Sequence, residues 1–104
     1  EDERFAGLTA WLSQSIASGV SVEQMAQHVG MSPRSFSRHF VRKFGQTPAK
    51  FHEAIRLNAA RRLLEARSPV AVVANSVGFR SEAAFRTAFK AQFGVTPQLY
   101  RETW

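Results

Sequence analysis

Cysteine is absent from all 104 residues. This excludes a disulfide framework and any thiolate metal site, and it is typical of a protein in a reducing compartment. Long apolar runs are also missing, because the longest, such as residues 70–74, span only a few positions. A membrane-spanning helix needs about 20 apolar residues. We therefore expect no membrane partner and a cytoplasmic location.

Metal-ligating and catalytic residue types are sparse as well. The histidines, His28, His39 and His52, are scattered along the chain, and no spacing gathers carboxylates around them. We expect them to be helix-surface residues rather than metal ligands. Each glycine stands where a turn or a helix end needs one, and none belongs to a phosphate-binding motif. We accordingly predict no catalytic residues, no metal and no cofactor, and hence a protein that is not an enzyme.

Acidic residues are few relative to basic ones. Eight Asp and Glu face fourteen Lys and Arg, which gives a net charge of +6. This imbalance favours polyanionic partners, with nucleic acid first and an anionic membrane surface second. Charge alone does not choose between them.

Two segments of the chain, residues 29–48 and 77–97, have nearly the same sequence. Gly30 matches Gly78 at an offset of 48, whereas the later positions match at 49, so one residue has been added inside the second turn. Two copies are too few for a solenoid and indicate paired modules. The positions at the larger offset are Phe36 with Phe85, Phe40 with Phe89, Phe44 with Phe93, Gly45 with Gly94, Thr47 with Thr96, and Pro48 with Pro97.

Helical apolar spacing and capping residues predict an all-α fold of seven helices. Ser21 with Gln24 has the spacing of a capping box, and Ser32 before Pro33 is typical of a helix start. A short connection through Gly30 makes the second and third helices a helix-turn-helix. The predicted helices cover about residues 3–17, 21–30, 33–44, 48–66, 69–77 and 81–93, with a last short helix from residue 97.

The fourth predicted helix connects the two units. Phe51 and Ile55 are apolar toward one end, and Leu57, Leu63 and Leu64 spread around the other, so the helix contributes to two cores. Its residues 48–66 are about 28 Å long, comparable to the roughly 34 Å between successive major grooves on one face of DNA. We predict one domain, residues 1–104, with helix-turn-helix subdomains at 1–47 and 67–104 joined by the helix at 48–66.

The third predicted helix separates a basic face from an aromatic one. Arg34, Arg38 and Arg42 recur every four residues on the side opposite the phenylalanines, and no acid occurs between residues 32 and 46. A row of arginines is often only a solvated surface. Because the turn is duplicated, however, we interpret this row as a surface for an external anion. Arginine can bind guanine in the major groove or phosphate.

The second unit carries different residues at the corresponding positions. Ala83, Thr87 and Ala91 replace the arginine row, and Arg86 and Lys90 lie beside it. Methyl groups can pack against the thymine methyl, while the basic side chains remain available for phosphates. We therefore expect the first unit to supply most hydrogen-bonded base readout, and the second to read mainly fit and thymine.

The chain resembles the DNA-binding domain of the AraC/XylS family of bacterial transcription regulators over essentially its whole length. The resemblance is carried by residues 55–64 (IRLNAARRLL), 77–79 (VGF), 89–90 (FK), 93–97 (FGVTP) and 100–101 (YR). It implies two helix-turn-helix units joined by a long helix and bound to adjacent major-groove segments of double-stranded promoter DNA.

Family positions carried onto this sequence give the expected base-reading residues: Arg34, Ser37, Arg38, Glu82, Ala83, Arg86 and Thr87. The family often has Ser-Arg where this chain has Arg86 and Thr87. The expected phosphate-contacting residues, from helix starts and the basic side chains beside the reading faces, are Ser32, Ser35, Arg42, Arg80, Ser81 and Lys90.

The start of the chain without methionine is expected of a piece of a longer protein. The run from Met31 to Arg34, with Phe85 and Arg86, resembles the subset with a glutamine-amidotransferase-like N-terminal domain. The domain itself is expected to be monomeric, with any dimerisation through that region and contact with RNA polymerase if the protein is an activator. The alternatives are a basic helical RNA-binding or protein-interaction module and, more weakly, an enzyme fragment.

Overall fold

The computed structural model describes residues 5–14 and 16–104, which form seven α-helices and no strand. The prediction of an all-α fold with seven helices is confirmed. Within the described ranges, no helix is both long and apolar enough to cross a bilayer. The helices are α1 (Leu8–Gln14), α2 (Val22–His28), α3 (Pro33–Phe44), α4 (Pro48–Glu65), α5 (Val70–Ser76), α6 (Glu82–Phe93) and α7 (Pro97–Thr103).

Side-chain caps begin five of these helices. Ser21 forms the predicted capping box with Gln24, whose side chain accepts a hydrogen bond from the Ser21 backbone N–H at 2.9 Å. Each cap satisfies a backbone N–H that has no partner inside its own helix, so the local sequence determines where the helix begins. The capping residues are Ser21, Ser32, Thr47, Ser81 and Thr96.

Helix α1 is shorter than the predicted 3–17, of which residues 3, 4 and 15 lie outside the described residues. The helix begins only at Leu8, because Gly7 has a φ of +82° that an α-helix cannot accommodate. Phe5 is nevertheless buried, and its ring lies 5.7 Å from that of Phe40. The apolar spacing identified the core residue correctly and the helix start incorrectly.

Two separate apolar cores lie at the two ends of α4. The first contains Phe36 and Phe40, against which Phe51 and Ile55 of α4 pack. The second is formed around α5, α6 and α7, and Leu57 and Leu64 are buried within it, with Leu63 packed against it. The prediction that the connecting helix contributes to two cores is therefore confirmed.

The prediction that all three histidines are surface residues is wrong for His52. His52 is 4% exposed, and its Nε2 has no hydrogen-bond partner among the residues that the structure describes. Burial, with the nearby Arg56 charge, lowers its pKa below the ordinary value. The physical reason is that α4 contacts α1 and α3 as well as α5, α6 and α7, so more than one of its faces is covered. His28 is exposed and stacks on Trp11 at 4.1 Å.

Candidate nucleic-acid interface

Helix α3 presents its basic residues to solvent because its aromatic residues anchor the opposite face. Phe36 and Phe40 are completely buried, whereas Arg34, Arg38 and Arg42 are exposed. The described part of the chain shows no acidic side chain in α3 or its flanking turns. This surface thus has the positive charge that favours a polyanion.

Serine side chains surround the beginning of α3 in three different environments. Ser32 is exposed and its hydroxyl caps the helix, accepting a hydrogen bond from Ser35 N–H at 3.2 Å. Ser35 is half-buried, and its carbonyl oxygen accepts a hydrogen bond from His39 Nδ1 at 2.8 Å. Ser37 is also half-buried, between the arginine row and the core. Of these three residues, Ser32 is the exposed one, and it lies at the beginning of the helix, where a phosphate can approach.

Helix α6 repeats this arrangement with small residues. Phe85 and Phe89 are completely buried, and Ala83 and Thr87 are exposed on the other side. The exposed positions of α6 are therefore methyl-bearing where those of α3 carry guanidinium groups. Before the helix, Arg80 and Ser81 are exposed, and the Ser81 hydroxyl accepts a hydrogen bond from the Ala84 N–H.

An ion pair on α6 joins two of the predicted site residues. Arg86 donates from Nε to a Glu82 carboxylate oxygen at 2.8 Å and also from Nη2 to the same oxygen. The two side chains remain 44% and 39% exposed, respectively. Arg86 is thus held by an acid, whereas the arginines of α3 have no acidic partner among residues 5–14 and 16–104. Its spacing of four residues could have revealed this pair from the sequence.

Three predicted residues line one shallow depression of about 450 Å³ beside α6: Arg86, Thr87 and Lys90. Ala91 and Thr96, the N-cap of α7, complete its wall. Sequence reasoning did not include Thr96 in the site. Its equivalence to Thr47 in the duplicated segment is the signal that could have placed it beside the reading helix.

No metal chemistry accompanies these surfaces. Within residues 5–14 and 16–104, no three His, Cys, Asp or Glu side chains gather as a group that could hold a metal ion. The exposed side chains offer hydrogen-bond donors, positive charge and methyl groups, which suit base edges and phosphates. Fold and surface together define a tandem helix-turn-helix domain.

Comparison with known proteins identifies the family. A model of the helix-turn-helix domain family matches residues 25–103. The RCS-specific HTH-type transcriptional activator RclR of Escherichia coli is 40% identical over 83 residues, which cover 79% of this chain and 29% of that protein. The arabinose operon regulatory protein of Escherichia coli is 31% identical over 102 residues, covering 96% and 35%. The chain spans about a third of the length of these curated relatives.

Solved structures agree with this assignment. The DNA-binding domain of AdpA, a global transcriptional factor solved in complex with a target DNA, superposes with a TM-score of 0.89 at 35% identity, covering 98% of this chain and 92% of that one. A regulator with an AraC-type DNA-binding domain from Chromobacterium violaceum gives 0.88 at 27% identity, with 95% and 89% covered. The chain belongs to the helix-turn-helix domain family of AraC-type transcription regulators.

Proposed function

We propose that this chain is the sequence-specific, double-stranded DNA-binding module of a bacterial transcription regulator. The observation that carries the proposal is the pair of duplicated helices, α3 and α6, each anchored by buried phenylalanines and each exposing its opposite face. Each helix is the second of a helix-turn-helix, the position that enters the major groove in such motifs. The role is one of binding rather than catalysis.

The dimensions of the molecule suit two adjacent groove segments. The domain is 42 Å along its longest axis and 23 Å across. Successive major grooves on one face of DNA lie about 34 Å apart. A domain of this length, with α4 as the strut between its units, can place one recognition helix in each groove.

The two units are assigned different tasks. In the first, Arg34, Ser37 and Arg38 read base edges, and Arg42 contacts phosphate with the serines at residues 32 and 35. Arg34 and Arg38 are exposed, Ser37 is half-buried beside them, and the helix carries no acidic residue, which together support this assignment. Hydrogen-bonded readout is therefore concentrated in the first unit.

In the second unit, Ala83 and Thr87 supply methyl contacts, and Glu82 and Arg86 complete the reading set as an ion pair. Phosphates are contacted by Arg80, Ser81 and Lys90. Support comes from the exposure of all three and from the depression that Lys90 lines. This unit reads mainly shape and thymine.

The full-length regulator is proposed to act in the bacterial cytoplasm with further regions that this chain does not include. We assign the helix-turn-helix subdomains to residues 1–47 and 67–104 and the connector to 48–66. The resemblance of the run from Met31 to Arg34 supports a glutamine-amidotransferase-like regulatory domain. Dimerisation through that region, and contact with RNA polymerase in the case of an activator, belong to the same proposal.

The test is selection of random duplex DNA on the purified domain, followed by affinity measurements on the selected and scrambled duplexes across a salt series. We expect an asymmetric motif favoured by about a thousandfold or more. Duplex RNA of equal length tests the alternative of a basic RNA-binding module. Weak binding of all duplexes that disappears uniformly with salt would contradict the proposal.

Two variants then separate base reading from phosphate contact. Arg38→Ala should lose about 1 to 3 kcal/mol on the selected duplex and relax the preference at one base pair. Lys90→Ala should weaken binding to selected and scrambled duplexes alike. Equal losses on both duplexes for Arg38→Ala would remove that residue from the base-reading set.

A further inference from the structure

The turns of the two helix-turn-helix units have the same backbone conformation but different surroundings. Gly30 and Gly78 have φ values of +75° and +85°. A Cβ atom at Gly30 would meet nothing within 4 Å, whereas one at Gly78 would lie 2.4 Å from the carbonyl oxygen of Ile16. The turn itself does not require this close approach. The second turn is therefore packed against the backbone that follows α1, which belongs to the first unit.

Arg56 of α4 contacts the same turn from another side. Its Nη1 donates a hydrogen bond to the Gly78 carbonyl oxygen at 3.2 Å. Its guanidinium carbon lies 4.5 Å from the centre of the Phe79 ring, in cation–π geometry. One side chain thus binds both the backbone and the aromatic ring of the second turn.

These contacts connect the two recognition helices. The Phe79 ring lies 5.4 Å from that of Phe85, which anchors α6 in the second core. The residue preceding Arg56, Ile55, packs against the first core, which also contains Phe40 of α3. A continuous chain of contacts therefore runs from the core under α3, through Ile55 and Arg56, to the core under α6.

We propose that Arg56 is a positioning residue which, with the close approach at Gly78, fixes the orientation of α6 relative to α3 and thereby the spacing of the DNA segments that the domain reads. This inference rests on the proposed DNA-binding function. Without the junction, α4 still connects the units, but the second unit gains freedom to turn on the first. A domain with that freedom tolerates altered spacing and loses the affinity that comes from having both helices already placed.

The first experiment measures, without DNA, the distribution of distances between two spin labels placed in different units. The chain contains no cysteine, so spin labels attach only at Gln46→Cys and Gln92→Cys, two exposed positions in different units. We expect a narrow distance distribution in the otherwise unchanged protein and in Arg62→Ala, which removes an exposed arginine from the same helix. Arg56→Ala should broaden it. An unchanged distribution would overturn the proposal.

The second experiment measures the affinity of the domain for the selected duplex and for versions with one base pair inserted or deleted between its two segments. Each step rotates one segment by about 34° and moves it by about 3.4 Å relative to the other. The starting protein should lose about 100-fold in affinity on the altered duplexes, and Arg56→Ala about tenfold or less. On a duplex carrying only the first segment, the two proteins should bind equally. The same spacing penalty in both proteins would overturn the proposal.

A second pair of variants, Gly30→Ala and Gly78→Ala, tests the junction in case Arg56→Ala does not fold. Arg56 Nε is buried and has no hydrogen-bond partner within the described part of the chain, so removing the side chain relieves a desolvation cost that offsets the lost bond. We therefore expect Arg56→Ala to fold, as checked by circular dichroism. Gly30→Ala and Gly78→Ala share the cost of a positive φ, but only Gly78→Ala meets the Ile16 carbonyl oxygen. Of these two variants, only Gly78→Ala should broaden the distribution of label distances. Equal broadening in both variants would contradict the inference.

The two proposals can fail separately. If the starting protein selects no duplex while Arg56→Ala still broadens the distances, the DNA-binding proposal fails and the junction stands. If a motif is selected but neither distances nor spacing respond to Arg56→Ala, the junction fails and the DNA-binding proposal stands.

Discussion

We expect the ion pair between Glu82 and Arg86 to limit non-specific DNA binding by Arg86. Replacing Glu82 should therefore increase that binding. Both side chains are substantially exposed, and an exposed pair four residues apart on a helix contributes only about 0.3 to 0.5 kcal/mol. Glu82 is also the first residue of α6, where a carboxylate interacts with the helix dipole for about 0.3 to 1 kcal/mol. Glu82→Gln should therefore reduce the free energy of unfolding by about 0.6 to 1.5 kcal/mol.

The effect of Glu82→Gln on DNA binding should depend on salt. Once released, Arg86 can neutralise one additional phosphate, which steepens the slope of log affinity against log salt by about 0.9. A fourfold rise in salt should then cost Glu82→Gln about three- to fourfold more affinity than it costs the starting protein. Because the new contact is to phosphate, scrambled duplex should gain more than the selected duplex, and the specificity ratio should fall.

The assay is fluorescence anisotropy with both duplexes at about 50 to 200 mM salt. Glu102→Gln is the matched control, because it removes the same charge from α7, where the acid pairs with Gln98 rather than with an arginine. Equal salt slopes for the two variants would show that only the overall charge of the domain matters. They would refute the restraining role of Glu82.

Three further predictions concern stability. Phe40→Ala should lower the free energy of unfolding by about 3 to 5 kcal/mol in denaturant titrations, because the ring is fully buried and lies 4.5 Å from that of Phe44; a loss below about 1 kcal/mol would contradict that packing. Burial lowers the pKa of His52 in the folded protein, so the unfolded chain binds the proton first as pH falls below about 6.5. The contribution of neutral His52 to the free energy of unfolding is therefore complete above that value and declines below it. The midpoint of thermal unfolding should therefore fall between about pH 7 and 5 more steeply in the starting protein than in His52→Gln, and equal slopes would exclude the contribution of His52. Ser21→Ala should cost about 1 kcal/mol by calorimetry, since it removes the cap of α2, whereas an unchanged unfolding temperature would show that water replaces the cap.

Local patterns were sufficient to predict most of the fold. The start of α3 follows from Ser32 and Pro33, and its buried face from the four-residue spacing of Phe36 and Phe40, which involve only neighbours along one helix. The predicted start of α1 was wrong, because the apolar spacing continues through Gly7 whereas the helical backbone conformation does not. Capping and periodicity can be read from the sequence, whereas the conformation that a glycine adopts depends on what surrounds it.

The candidate site, like the fold, could be predicted only in part from the sequence. The exposure of Arg38 and Thr87 follows from the helical wheel once the phenylalanine stripe is recognised as core. Whether an exposed side chain is free or paired is a separate matter, as the contact of Arg86 with Glu82 illustrates. The roles of individual residues on DNA remain predictions.

The sequence by itself determined the seven helices, the duplicated turn and the separation of aromatic from basic faces, because each depends on residues within a few positions of one another. Only the tertiary structure decided how the two units meet. Gly30 and Gly78 occupy equivalent positions and have nearly the same φ, yet only Gly78 approaches the backbone of the other unit. That difference depends on how α4 directs the second unit back toward the backbone that follows α1, which no local pattern encodes.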